Sequence, residues 1–259
     1  VSAQGNARAA AAGEDRSAPR ASGDDPAEGI VIAIDGPSGS GKSSTARGAA
    51  EARDLRYLDT GAMYRALTWW MLQNDIDTTD AAAVAAACSR PVVTMGTDPS
   101  APAVRVDGTD VARAIRTQEV TANVSAVSAV AEVRERLVAL QRDIIAEARS
   151  ESGGIVVEGR DITTVVAPNA EVKIYLTASA EARAQRRSRE VRTSDIAATQ
   201  ADLARRDLLD SSRADSPLTR TEEAMELETT GLSLDEVVAL VAKLVDEAKG
   251  EAARSVGVL

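Results

Sequence analysis

Gly36-Pro37-Ser38-Gly39-Ser40-Gly41-Lys42-Ser43 satisfies every position of the pattern G-x-x-x-x-G-K-[ST]. The spacing has a chemical purpose. Glycines let successive backbone N–H groups curl around a phosphate, a helix beginning at the end of the loop adds its partial positive charge, and Lys42 reaches the outer phosphates. Ser43 is placed to ligate Mg2+ beside them. These residues predict a site for a nucleoside triphosphate. They do not choose between a kinase, a GTPase, a motor and a passive nucleotide-regulated module. The Asn-Lys-x-Asp element usual in guanine readers does not occur in the chain.

A kinase for a small phosphorylated acceptor must hold a second anion opposite the first, neutralise the crowded charge and exclude water. The planar fork of Arg suits that task. Arg65, Arg160, Arg206 and Arg213 fall at the carboxyl ends of candidate strands or beside helix ends. Arg183, Arg186 and Arg187 form a denser run, for which a solvated helix face is the competing explanation. Lys occurs only at 42, 173, 243 and 249, a bias that phosphate recognition and a GC-rich genome explain equally well. The absence of His removes His-dependent base, triad and common zinc schemes. The lone Cys88 excludes an intrachain disulfide and reads as a small buried apolar residue, which suits a reducing cytoplasm.

The elements that must position these groups are readable from periodicity. Ile30 to Ile34 is a continuous apolar run ending at Asp35, expected to be a buried parallel strand, and Ser43 to Arg53 is the helix after the loop. Leu55–Leu58 predicts a second strand leading to Asp59-Thr60-Gly61, then a helix with Met63, Leu67, Trp70 and Met71 on one face. Val92–Met95 and Val104–Val106, with a turn at Asp107-Gly108, predict a small antiparallel insert. One long helix is expected from about Thr117 to Ala148. Further strands follow at Ile155–Val157, Val172–Leu176 and Met225–Thr229, with helices beginning at Ser179 and Asp195. Ser233 and Glu236 make a capping box for a terminal helix. Strands alternating with helices imply a doubly wound α/β sheet.

The net charge of −10 argues against a general nucleic-acid or membrane-surface binder. No apolar run approaches the roughly 18 residues that span a bilayer. Residues 1–28, rich in Ala, Gly, Ser, Arg and Asp without periodicity, read as a disordered N-terminal extension. Phe is absent and the aromatics are Trp69, Trp70, Tyr57, Tyr64 and Tyr175, so the core must be aliphatic.

Taken in order, Asp35–Lys42, Leu58-Asp59-Thr60-Gly61-Ala62-Met63-Tyr64-Arg65, Ile115-Arg116-Thr117-Gln118-Glu119-Val120, Glu158-Gly159-Arg160-Asp161 and Arg206-Asp207-Leu208-Leu209-Asp210-Ser211-Ser212-Arg213 resemble the bacterial cytidylate kinases. The similarity takes in Val172–Leu176 and Arg183–Arg187, and runs from about residue 30 to the terminal helix. It implies a three-layer P-loop NTPase fold over residues 29–259, with a parallel sheet. An NMP-binding insert at about 62–148 carries the small antiparallel β piece, and a mobile lid lies at about 183–213. The implied reaction is phosphoryl transfer from MgATP to CMP or dCMP in a cytoplasmic monomer, with no nucleic-acid or membrane partner. The competing readings are UMP or another small acceptor on the same fold, and a non-catalytic ATP-binding module.

The same resemblance assigns residues. ATP falls to Gly36, Pro37, Ser38, Gly39, Ser40, Gly41, Lys42, Ser43 and Ser44, with the metal at Ser43. Arg65, Arg160 and Arg213 match the CMP-phosphate arginines, and Thr60 lies near the nucleotide. Ser125, Arg134 and Asp161 match the cytosine contacts, while Arg206 and Asp210 match the sugar edge. Asp161 suits cytosine because it can accept from the exocyclic amine, whereas uracil would present another acceptor. Lys42, Arg160, Arg186 and Arg213 are the expected catalytic cations, Arg186 from the lid. Thr163 departs from the family pattern, where a Gly usually stands after G-R-D-[IM], and is expected to alter the turn near the acceptor phosphate.

Overall fold

The computed structural model describes residues 29–151, 153–191 and 193–256; the extension expected at 1–28 lies outside the described residues. Strand β1 (Ile30–Asp35) is buried along its whole length. Its side chains alternate between two cores, as the pleat requires: Val31 and Ala33 on one face, Ile30, Ile32 and Ile34 on the other. Strands β2 (Arg56–Asp59), β6 (Gly154–Glu158), β7 (Val172–Thr177) and β8 (Met225–Glu228) complete a five-stranded parallel sheet ordered β2-β6-β1-β7-β8. The phosphate loop leaves the carboxyl end of the central strand.

On one face α1 (Lys42–Ala52) contributes Ala46, Ala49 and Ala50, packed with Val237, Val241 and Val245 of α8 (Leu234–Val256). The opposite face carries α2 (Thr60–Gln73), α4 (Gln118–Ser128) and α5 (Ala131–Glu151), with Met63, Leu67, Val127 and Leu137 fully buried. Each such side chain contributes about 2 kcal/mol by removal from water. Both cores are built from aliphatic residues, Met and Tyr, with the buried Cys88 in the second, as a chain without Phe requires.

The expected single helix from Thr117 is two helices broken at Ala129–Val130. The break leaves the Ser128 carbonyl to the Arg134 guanidinium instead of to a continued helix, so this cation is held at the start of α5. A short helix α3 (Ala81–Ala87), capped by Asp80, was not expected. The insert comprises β3 (Val93–Met95), β4 (Val104–Val106) and β5 (Thr109–Asp110), all antiparallel. Val93, Val104, Val106 and Ile115 bury against Ala62 and Ala66, so the insert braces α2. Past the sheet, α6 (Ala180–Val191) packs on α7 (Ile196–Ser211). The capping box forms: Ser233 N donates to Glu236 Oε2 at 2.8 Å and Glu236 N to Ser233 Oγ at 3.3 Å. Among the described residues no helix is long and apolar enough to cross a membrane.

Candidate functional site

At the end of β1 the chain turns through Gly36, where a Cβ would lie 2.0 Å from the Leu176 carbonyl oxygen. Gly41, at φ 96°, holds the left-handed conformation that starts α1, a backbone region a side chain disfavours. Lys42 opens the helix and folds back into the loop. Its Nζ donates to the Gly36 and Pro37 carbonyls, both at 2.8 Å. Burial, with Arg160 nearby, lowers the Lys42 pKa from its ordinary value.

Glu158 ends β6 in register with Ile34. The Tyr57 phenol donates to its Oε1 at 2.6 Å, and the Thr60 hydroxyl donates to its carbonyl at 2.7 Å. Burial raises the Glu158 pKa and the Asp59 carboxylate pushes it the same way, against the pull of Lys42, Tyr57 and Ser43. A hydroxyl and a carboxylate side by side, Ser43 and Glu158, are the oxygen donors suited to a hard divalent cation that takes its other ligands from phosphates and water. Among the described residues no cluster of three or more His, Cys, Asp or Glu could hold a metal ion.

Facing the loop across a cleft of about 460 Å3 are the arginines. Arg65 on α2 donates to Thr121 Oγ1 at 2.9 Å and to the Ile115 carbonyl at 3.3 Å. Burial first, then Arg206 and Arg187, push its pKa down to about 9. Arg206 on α7 is buried, and its Nε has no hydrogen-bond partner, which leaves a donor for a ligand. Arg160 joins its Nε to Asp210 Oδ2 at 2.9 Å and its Nη2 to Ser38 Oγ at 2.8 Å. Arg213 donates from Nη2 to the Ser216 carbonyl at 3.2 Å.

Deeper in the cleft, Arg134 pairs with Asp161 through Nη2, both nearly buried, and its guanidinium lies 5.7 Å from the centre of the Tyr64 ring. Burial raises the Asp161 pKa, while Arg134 and Arg213 oppose the rise. Ser125, Ser128 and Val124 close this end. The arrangement is a recess that combines Val124 and the Tyr64 ring with a carboxylate and a guanidinium, a mixture suited to a heterocycle that carries polar edge groups.

Every expected acceptor residue lines the one cleft: Thr60, Arg65, Ser125, Arg134, Arg160, Asp161, Arg206, Asp210 and Arg213. Ser38 through Ser44 form the opposing wall, whereas Gly36 and Pro37 stand behind it and serve Lys42 through their carbonyls. Arg186 bridges the Ser40 carbonyl at 3.2 Å and the Thr229 carbonyl at 2.6 Å, at the donor end of the cleft. Its neighbour Arg187 lies beside Arg65 and Arg206 and pairs with Glu190 at 2.8 Å.

Sequence reasoning gave no role to Glu158, Tyr64 and Arg116, and from the run Arg183–Arg187 it singled out Arg186 and not Arg187; all five line the cleft. Glu158 carried a usable signal, a carboxylate at a strand end directly before Gly159-Arg160-Asp161. Nothing in the run Arg183–Arg187 separates the inward cation from the others. Thr163 is the one departure with a visible consequence. Asp35 accepts from the Ile162 and Thr163 N–H groups at 2.9 and 2.8 Å and from the Thr163 hydroxyl at 2.7 Å. The hydroxyl thereby ties the π-helical turn Ile162–Val166 to the end of β1.

The family model described as cytidylate kinase matches residues 32–247. A cytidylate kinase of Streptomyces avermitilis is 56% identical over 84% of this chain and 93% of its own length. That of Streptomyces coelicolor is 57% identical over 85% and 94%, and that of Corynebacterium diphtheriae 46% identical over 88% and 100%. With the phosphate loop, the converging arginines and the Asp161–Arg134 recess in one cleft, the chain belongs to the cytidylate kinase family.

Proposed function

We propose that the protein transfers the γ-phosphoryl group of MgATP to CMP or dCMP, giving ADP and CDP or dCDP. An oxygen of the acceptor phosphate forms the bond to the γ phosphorus as the β–γ bridging P–O bond breaks, in line and without a covalent enzyme intermediate. The loop from Gly36 to Ser44 cradles the donor phosphates, with the N–H groups of Gly39 to Ser44 as the donors and Gly36 and Pro37 shaping the turn behind them. Lys42 carries charge toward the transferred group, and Arg65, Arg160 and Arg213 grip the acceptor phosphate by their forks. Arg206 and Asp210 take the sugar edge. Asp161 accepts from the cytosine amine, with Arg134 and Ser125 completing the base recess and Thr60 shaping its entrance.

ATP with a divalent metal is the donor usual for the family; we assign the metal as Mg2+, held by Ser43 with Glu158 behind it. When bound, it would supply charge neutralisation to the donor phosphates. No residue acts as a strong base, so a chain without His meets the requirement. The segment at about 62–148 serves as the acceptor-binding insert and that at about 183–213 as the lid. Arg186 and Arg187 are its cations, Arg187 being the one beside Arg65. The enzyme acts as a cytoplasmic monomer without nucleic-acid partners, in keeping with its net charge of −10.

The observation that carries this reading is the convergence of Arg65, Arg160, Arg206 and Arg213, drawn from distant stretches of chain, opposite Lys42. A coupled ADP-release assay across CMP, dCMP, UMP, AMP and GMP tests it. Turnover is expected with CMP and dCMP. Negligible turnover with both alongside good turnover of another acceptor rejects the choice, and ADP release indifferent to any acceptor returns the regulatory reading.

A further inference from the structure

Ser38 occupies an unusual place in the phosphate loop, because each of its polar groups is held by a different side chain. Its N–H donates to Asp207 Oδ1 at 2.9 Å, its carbonyl accepts from Arg183 Nη1 at 3.0 Å, and its hydroxyl accepts from Arg160 Nη2 at 2.8 Å. Arg183 also pairs with Asp207 Oδ2. Asp207 and Asp210 stand three residues apart on α7 and so share a face. Asp207 reaches the loop backbone while Asp210 holds the acceptor arginine Arg160.

The fit is close. A Cβ on Gly39 would lie 3.1 Å from the Arg183 carbonyl oxygen and 3.3 Å from Leu203 Cδ1, so α6 and α7 sit directly on the loop. The Asp207 carboxylate gains nothing from facing a triphosphate, since like charges repel. Arg183 offsets that cost, and Asp207 in turn helps hold the Lys42 ammonium charged against burial.

We propose that Asp207 is a positioning residue: with Arg183 it clamps the α6–α7 pair onto the phosphate loop at Ser38, so that the γ-phosphoryl group reaches the acceptor and not water. The inference rests on the phosphotransfer reading above. Loosening the clamp opens the donor phosphates to solvent. Water oxygen then bonds to the γ phosphorus, the β–γ bridging P–O bond breaks, and the water proton passes to solvent, yielding ADP and inorganic phosphate.

The test compares phosphate release from ATP alone with CDP formation from ATP plus CMP in the wild type, Asp207→Ala, Asp207→Asn and Arg183→Ala. Asp202→Asn, which breaks a half-exposed pair with Arg205 on α7, is the control. Asp207→Ala is expected to raise the ratio of hydrolysis to transfer about tenfold, and Asp207→Asn less, because its amide oxygen still accepts the Ser38 N–H. The kcat for CMP should fall more than its KM rises. A ratio unchanged in variants that melt with the wild type, or equal losses of both reactions, overturns the proposal. Should Asp207→Ala fail to fold, an unchanged ratio in both Asp207→Asn and Arg183→Ala overturns it equally. A wild type that leaves CMP untouched rejects the function reading instead, and the acceptor-free hydrolysis rate of the variants still decides the clamp.

Discussion

Consecutive residues, Ser38 to Ser44, form one wall of the cleft, the donor wall of the proposed reaction, whereas the proposed acceptor wall draws Arg65 from α2, Arg134 from α5, Arg160 from the turn after β6, and Arg206 and Arg213 from α7 and the segment beyond it. In the proposed reaction the donor wall works through backbone N–H groups, so its chemistry is set by where glycine permits the chain to turn. The acceptor wall works through side chains, nearly all engaged already: Arg160 by Asp210 and Ser38, Arg134 by Asp161, Arg65 by Thr121. A local loop can be rigid at little cost. A dispersed set of like charges needs carboxylates and carbonyls to hold it together until an anion arrives, and those partners must then give way or share.

The contrast can be broken most severely at Lys42. Lys42→Met should lower kcat about a thousandfold by removing charge from the transferred group, with CMP affinity nearly unchanged; steady-state kinetics beside CMP-binding calorimetry measure both. If CMP affinity falls in parallel, the two walls are not separable.

Arg160→Ala should raise the CMP KM about a hundredfold while ATP affinity is spared. It also leaves Asp210 without its partner, so the melting temperature should drop. Equal loss of ATP and CMP binding would place Arg160 with the donor wall.

A pH series sharpens the comparison with a smaller effect. Arg65 is pushed down to about 9, chiefly by burial and then by Arg206 and Arg187. As pH rises through 9 it loses its proton and with it the attraction for the acceptor phosphate, so the CMP KM should climb above pH 9 while the ATP KM stays level. The linkage to folding has the opposite sign, because the folded pKa lies below the unfolded one. The unfolded chain binds the extra proton between them, and this group favours the folded state increasingly as pH rises through that window. Arg65→Lys should move the KM inflection; an inflection at the same pH would assign the titration elsewhere.

The smallest change expected is at Thr163. Thr163→Ala removes one donor from the buried Asp35 and should cost about 1–2 kcal/mol of stability in denaturant unfolding, with kcat and both KM values near wild type.

Local chemistry made much of the architecture legible. The apolar run of β1, the glycines after it, the Ser233–Glu236 cap and the aliphatic stripes of α1 and α8 each depend on neighbours within a turn or two, and each stands where periodicity places it. The break between α4 and α5 was not legible, since Ala129-Val130 carries neither Gly nor Pro, and the carbonyl freed at Ser128 finds its partner in tertiary packing.

Residue order alone was enough to declare a triphosphate cradle, because backbone donors in a glycine turn need only each other and the helix that follows. Which arginines face inward was decided only by the folded chain. Arg186 and Arg187 are adjacent on α6, yet one spans Ser40 and Thr229 while the other meets Arg65 and Arg206. Successive helical side chains diverge by about 100°, and only the packing of α6 against the loop and α7 selects which of them sees the acceptor.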